Sequence, residues 1–166
     1  MKKLIMIGGT MGVGKTTISQ CLKRRLDKTA FLDGDWCWDM NPFMVNEETK
    51  TMVLDNITHI LNNYIHCSAY EYIIFCWVMH EQSIIDDVLS QLDMTECQLV
   101  NISLVCDDEA LTKRIQNDID HEIRKPEALQ NSLIRLSMYQ KLDTYKLDIT
   151  NLSVEEAAKH IERLVL

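Results

Sequence analysis

One stretch constrains the fold of this chain more than any other. Gly9-Thr10-Met11-Gly12-Val13-Gly14-Lys15-Thr16 spells G-x-x-x-x-G-K-T directly after the apolar run Leu4-Ile5-Met6-Ile7. Ile18, Cys21, Leu22 and Leu26 follow at helical spacing, so the order is buried strand, glycine loop, helix. A loop in that setting can hold phosphates by its backbone. Glycines let consecutive N–H groups turn inward on an anion, and the following helix adds its positive N-terminal end. Lys15 is expected to reach the terminal phosphates and Thr16 to ligate the Mg2+ that accompanies them. Gly9, Thr10, Met11, Gly12, Val13, Gly14 and Thr17 complete the expected nucleotide cradle.

The rest of the chain alternates the same two periods. Apolar runs at 4–7, 30–32, 72–77, 99–105 and 147–149 read as fully buried strands. Between them, Val53, Ile57, Ile60, Leu61 and Tyr64 form one helical stripe, and Ile84, Ile85, Val88, Leu89 and Leu92 another. Asp107 or Asp108 is expected to cap a helix carrying Leu111 and Ile115. The last helix opens on Ser153-x-x-Glu156, a capping-box pattern, and is expected to bury Val154, Ala157, Ala158, Ile161 and Val165. Strands of this kind alternating with helices imply a parallel sheet covered on both faces. With no repeat, low-complexity tract or linker in 166 residues, the expectation is a single three-layer α/β domain over 1–166.

Charge and cysteine usage narrow the partners. The balance of 17 basic against 25 acidic residues gives −8, which argues against a nucleic-acid polymer or an anionic membrane surface. The six cysteines show no C-x-x-C spacing, and Cys21, Cys76 and Cys106 lie in apolar patterns, so a reduced cytoplasmic setting is expected. The N-terminal apolar run stops at Gly8, too short for a signal-peptide core or a spanning helix. The expected partner is a small-molecule acceptor, with the chain a monomer or homodimer.

In such sheets ligands sit beyond the carboxyl ends of the strands. The segments to weigh are therefore 8–14, 33–43, 78–82 and the polar tail around Thr150 and Asn151. Phe31-Leu32-Asp33-Gly34-Asp35 sets two carboxylates one residue apart after the second strand. On an extended segment both face the same way, toward the phosphate loop. Asp33 could hold the magnesium; Asp35 could take the proton of a hydroxyl attacking the γ-phosphate.

The glycine loop followed by this Asp-x-Asp resembles the small-molecule kinases of the phosphate-loop class, among them shikimate kinase, gluconate kinase, adenylylsulfate kinase and chloramphenicol phosphotransferase. Leu32-Asp33-Gly34-Asp35 is especially similar to the adenylylsulfate kinase pattern. The resemblance implies a five-stranded parallel sheet in the order 2-3-1-4-5, ATP as donor, and a helical lid at about 115–135. Arg114 to Asp118, then Arg124-Lys125-Pro126, resembles that lid. On this match Arg114, at the end of the fourth major helix, stacks on the adenine, and Arg124 is the lid arginine on the phosphates. Lys125 and Arg135 remain open as alternatives for that cation.

The acceptor side is less defined. Trp36-Cys37-Trp38-Asp39-Met40-Asn41-Pro42-Phe43 could be an aromatic wall for an acceptor with an apolar part, or could cap the core. His80 or Glu81, after the third strand, could hydrogen-bond an acceptor. The third strand ends Cys76-Trp77-Val78, without the Asp that many phosphate-loop enzymes use for magnesium, and no Gly-Gly-rich shikimate-type loop follows it. Two functions remain: a kinase moving the γ-phosphoryl of ATP to a hydroxyl (or phosphate) of a small-molecule or nucleotide acceptor, with Lys15, Asp35 and Arg124 catalytic, or a non-catalytic ATP-binding switch or interaction module.

Overall fold

The apolar runs form five strands, all parallel, in a computed structural model that describes all 166 residues. They are β1 (Lys2–Gly8), β2 (Thr29–Asp33), β3 (Tyr72–Trp77), β4 (Cys97–Val105) and β5 (Tyr145–Asp148). The spatial order is β2-β3-β1-β4-β5, as the kinase resemblance implies. β5 starts earlier than its apolar residues suggested and ends before Ile149, because Tyr145 and Lys146 pair with Ile102 and Ser103 despite their polarity.

The helices are α1 (Lys15–Arg25), α2 (Glu47–His66), α3 (Gln82–Ser90), α4 (Asp108–Asp120), α5 (Glu127–Met138) and α6 (Val154–Val165). Strand alternation divides the interior in two. Ile5 and Ile7 of β1 pack with Ile18, Cys21 and Leu22 of α1, Leu111 and Ile115 of α4, and Ala157 and Ile161 of α6. Leu4 and Met6 point the other way, onto Val53, Ile57 and Leu61 of α2 and Ile85 and Val88 of α3. Burial of each such Leu or Ile contributes about 1.5–3 kcal/mol. This two-sided packing makes β1 rigid, and β1 carries the glycine loop.

The helix ends follow the expected chemistry. Asp107, not Asp108, caps α4, its Oδ1 accepting the Ala110 N–H at 2.7 Å. Ser153 and Glu156 form a full capping box. Val154 is an exception to its expected burial: as the first residue of α6 it faces outward and is 38% exposed. No helix is long and apolar enough to cross a membrane.

Candidate functional site: a cleft over the glycine loop

The chain leaves β1 through a loop whose shape depends on glycine. Gly12 has φ +80°, and a Cβ there would lie 2.6 Å from Ile115 Cγ1, so the loop lies flush on α4. Two loop side chains turn away from the cleft and anchor the loop from beneath. The Thr10 hydroxyl donates to the Ser132 carbonyl at 2.8 Å, and Val13, 1% exposed, joins the core. Gly9, Thr10 and Val13 can therefore serve a ligand only through backbone, whereas Met11, Gly12, Gly14, Lys15, Thr16 and Thr17 line a cavity of about 1450 Å³.

The start of α1 is open to an anion. No side chain caps it, its first turn holds no acidic residue, and Gly14 in the left-handed region turns the chain into the helix. Lys15 is buried and its ammonium donates to the Thr10 carbonyl at 3.0 Å. Burial holds its pKa down at about 8 against the partial compensation of Cys76, Asp35 and Asp33. The site thus contains a poorly hydrated cation, which a polyphosphate would satisfy.

The two carboxylates meet this lysine by a route different from the extended one expected. After Asp33 the chain enters a 3-10 turn, Gly34–Trp38, with Asp33 as its cap: Oδ1 accepts the Asp35 N–H at 3.0 Å. Gly34 makes the turn possible, since a Cβ there would stand 2.5 Å from Trp77 Cγ. The other oxygen of Asp33, Oδ2, accepts the Thr16 hydroxyl at 2.6 Å. Asp35 keeps contact with solvent in the cleft. Partial loss of hydration, and then the charge of Asp33, raise its carboxyl above the usual range, against Lys15 and Arg124.

Three arginines face the same cavity from the opposite wall. Arg114 lies in the middle of α4, not at its end as expected, and its guanidinium donates to the carbonyls of Val13 at 3.3 Å and Ile149 at 3.0 Å. Arg124, in the turn between α4 and α5, is held by Asp118 at 2.8 Å, and its Nε stands 3.9 Å from where a Gly12 Cβ would be. It therefore projects over the glycine loop. Arg135 of α5 also lines the cleft, whereas Lys125 is exposed and does not. Pro126 ends the turn and α5 begins behind it.

The far end of the cavity is aromatic. Trp36, Trp38, Phe43 and Trp77 line it with Val45, Leu54 and Ile84. Trp38 and Phe43 are a tilted ring pair 6.0 Å apart, and Trp36 meets Phe31 edge-on at 5.3 Å. Trp38 and Trp77 also pack on the core, one of the two alternatives the sequence left open, while Trp36 and Phe43 stay largely exposed. His80 and Glu81 face the cavity too. Burial and then Arg135 hold the His80 imidazole below its ordinary value, so it is neutral at neutral pH. Thr150 and Asn151 do not reach the cavity; the Thr150 hydroxyl instead accepts the Asp107 N–H at 2.9 Å. Lys50, Leu54 and Asp87 join the lining without any sequence signal, because only the tertiary fold brings their helix faces to the strand ends.

A family model described as AAA domain matches residues 5–135, which run from β1 through all three cleft arginines. The chain belongs to this family. No curated protein matches the AAA domain chain by sequence. Its fold is shared with solved kinases and a resistance protein. The Deinococcus radiodurans tunicamycin resistance protein superposes with a TM-score of 0.71 at 16% identity, covering 99% of this chain and 96% of that one. A gluconokinase from Sinorhizobium meliloti 1021 gives 0.69 at 17% identity, over 98% and 93%. The Mycobacterium tuberculosis APS kinase, solved with AMPPNP and APS, gives 0.65 at 12% identity, over 99% and 97%. At these identities the likeness establishes the phosphate-loop fold, along the full length of the chain.

Proposed function

We propose that this chain is a kinase that moves the γ-phosphoryl group of ATP to a hydroxyl of a small molecule. One observation carries the reading. A carboxylate with a raised pKa, Asp35, lines the same cavity of about 1450 Å³ as the buried ammonium of Lys15 and four aromatic side chains. A protein that only binds nucleotide has no use for a base so placed.

In this reading the glycine-loop amides and the N-terminus of α1 hold the β- and γ-phosphates, and the adenine lies against Arg114. The acceptor oxygen attacks the γ-phosphorus as the bond to the β–γ bridging oxygen breaks, and ADP leaves. Asp35 takes the hydroxyl proton, while Lys15 and Arg124 oppose the charge on the transferring group. Catalysis is then mainly positioning plus electrostatics.

The adjacent Thr16 hydroxyl and Asp33 carboxylate are hard oxygen donors, the type Mg2+ prefers. No set of three or more acidic, His or Cys side chains gathers anywhere in the chain, this site included, to hold a metal by itself. Thr16 and Asp33 fit an ion that takes its other oxygens from phosphate and water. Mg2+ there would neutralise phosphate charge.

The relatives in fold that bear kinase names support the class of reaction. The test is ADP release from Mg·ATP across a panel of small hydroxyl compounds, for the wild type and Asp35→Asn. Acceptor-dependent release that Asp35→Asn abolishes is expected. Slow release indifferent to every acceptor would instead mark a nucleotide-binding switch.

A further inference from the structure

The acceptor end of the cleft carries a charge pattern that the phosphate end does not. Asp35, Asp39, Glu81 and Asp87 line it alongside the four aromatic residues. Neither Asp39 nor Asp87 has a cation within ion-pair distance, and Glu81 has only the neutral His80, at 3.8 Å. Two cations face the same space. Lys50 is already paired with Glu47 at 2.9 Å, and Arg135, with no carboxylate in ion-pair contact, stands beside His80. The remaining arginines of the cleft are committed elsewhere, Arg114 to backbone carbonyls and Arg124 to Asp118. An acidic acceptor entering here meets Arg135 as its one unpaired cation, against the carboxylates of Asp39, Glu81 and Asp87 and aromatic faces, both of which repel an anion. A cation meets the reverse, since ring faces and carboxylates attract it together.

We infer that the acceptor is a hydroxyl-bearing organic cation, an amine or quaternary ammonium on a flat or apolar skeleton. Trp38, Phe43 and Trp77 cover the skeleton; Asp39, Glu81 and Asp87 hold the positive group, which leaves the hydroxyl to Asp35. The inference rests on the kinase reading and adds the charge of the substrate to it. It also separates this chain from a gluconokinase, whose named substrate is an acid.

The experiment compares matched acceptors in the ADP-release assay at saturating Mg·ATP. An aryl amino alcohol, an amino sugar and a hydroxyalkyl trimethylammonium are each set against an uncharged counterpart (the N-acetyl derivative, or the tert-butyl carbon isostere) and a hydroxy acid of similar size. At least one cation is expected to exceed its uncharged counterpart by about tenfold in kcat/KM, the size of a desolvated cation–aromatic contact. The preference should shrink at high salt. It should also collapse to about twofold in the triple variant Asp39→Asn, Glu81→Gln, Asp87→Asn, with thermal unfolding as the check on folding. If the uncharged or acidic counterparts are equal or better acceptors, the cation assignment is wrong and the kinase reading stands. If no compound of any charge is phosphorylated, both fall together.

Discussion

At one end of the cleft the wall is backbone: a glycine loop and the bare start of α1, seated on the central strand of the sheet. At the other end it is side chain: rings and carboxylates drawn from a 3-10 turn, the irregular segment 39–46, the end of β3, Glu81 beyond it and the exposed face of α3. Backbone recognition demands a particular residue order, since only glycine takes the φ of +80° at position 12 beside Ile115. Side-chain recognition demands only that several residues converge, and many orders achieve that. The donor half of such a site is therefore constrained in sequence and the acceptor half is free to change.

Breaking each end separately should expose the difference. The largest effect is expected from Asp35→Asn, which should cut phosphoryl transfer by about 10²–10⁴ while Mg·ATP binding stays within about twofold. Calorimetry and an ADP-release assay on the same sample would check it. Equal loss of binding and turnover would mean that Asp35 belongs to the donor end. Next is Gly12→Ala, where a left-handed backbone and the contact with Ile115 combine to cost about 2–4 kcal/mol in stability or loop geometry. It should lower the melting temperature and weaken ATP, whichever acceptor is used.

The pH response sharpens the contrast further. Lys15 has a folded pKa of about 8 against an ordinary 10.5. Nucleotide affinity should thus weaken above about pH 8, approaching tenfold per pH unit, because the free protein has lost the proton that the phosphates require. The stability of the nucleotide-free protein should move oppositely. The unfolded chain binds more protons between about 8 and 10.5, so the cost of burying the charge is relieved as pH rises through that window. On the acid side, turnover should fall at a pH above the usual carboxylate range, since burial and Asp33 raise the carboxyl of Asp35. The smallest effect is expected for Trp38→Ala: several-fold on the acceptor KM, with ATP untouched.

The same divide explains how far the sequence could be read. Strand runs, helix stripes and the Ser153–Glu156 box each follow from a local period or a fixed spacing, and each is found within two residues of where it was expected, β5 (Tyr145–Asp148) being among the shifted strands. Asp33 and Asp35 were placed correctly beside the loop for an incomplete reason. Their approach comes from a turn capped by Asp33 and closed over Gly34 by Trp77, a long-range packing event without local signature. Arg114 lies mid-helix because Leu111, Ile115 and Ile119 keep one face of α4 on the core as far as Asp120, a stripe that the polar residues between them obscure. Lys50 and Asp87 could not have been found at all, because the distance of each to the cleft is set by how α2 and α3 pack on the sheet.

The central claim is that the amides between β1 and α1, with Lys15, grip a triphosphate. Isothermal titration of the folded protein with Mg·ATP tests it most directly, with Lys15→Ala alongside. Saturable binding that weakens at least about tenfold in the variant is the predicted result. Absence of heat at millimolar Mg·ATP, or equal affinity in the two proteins, would contradict it.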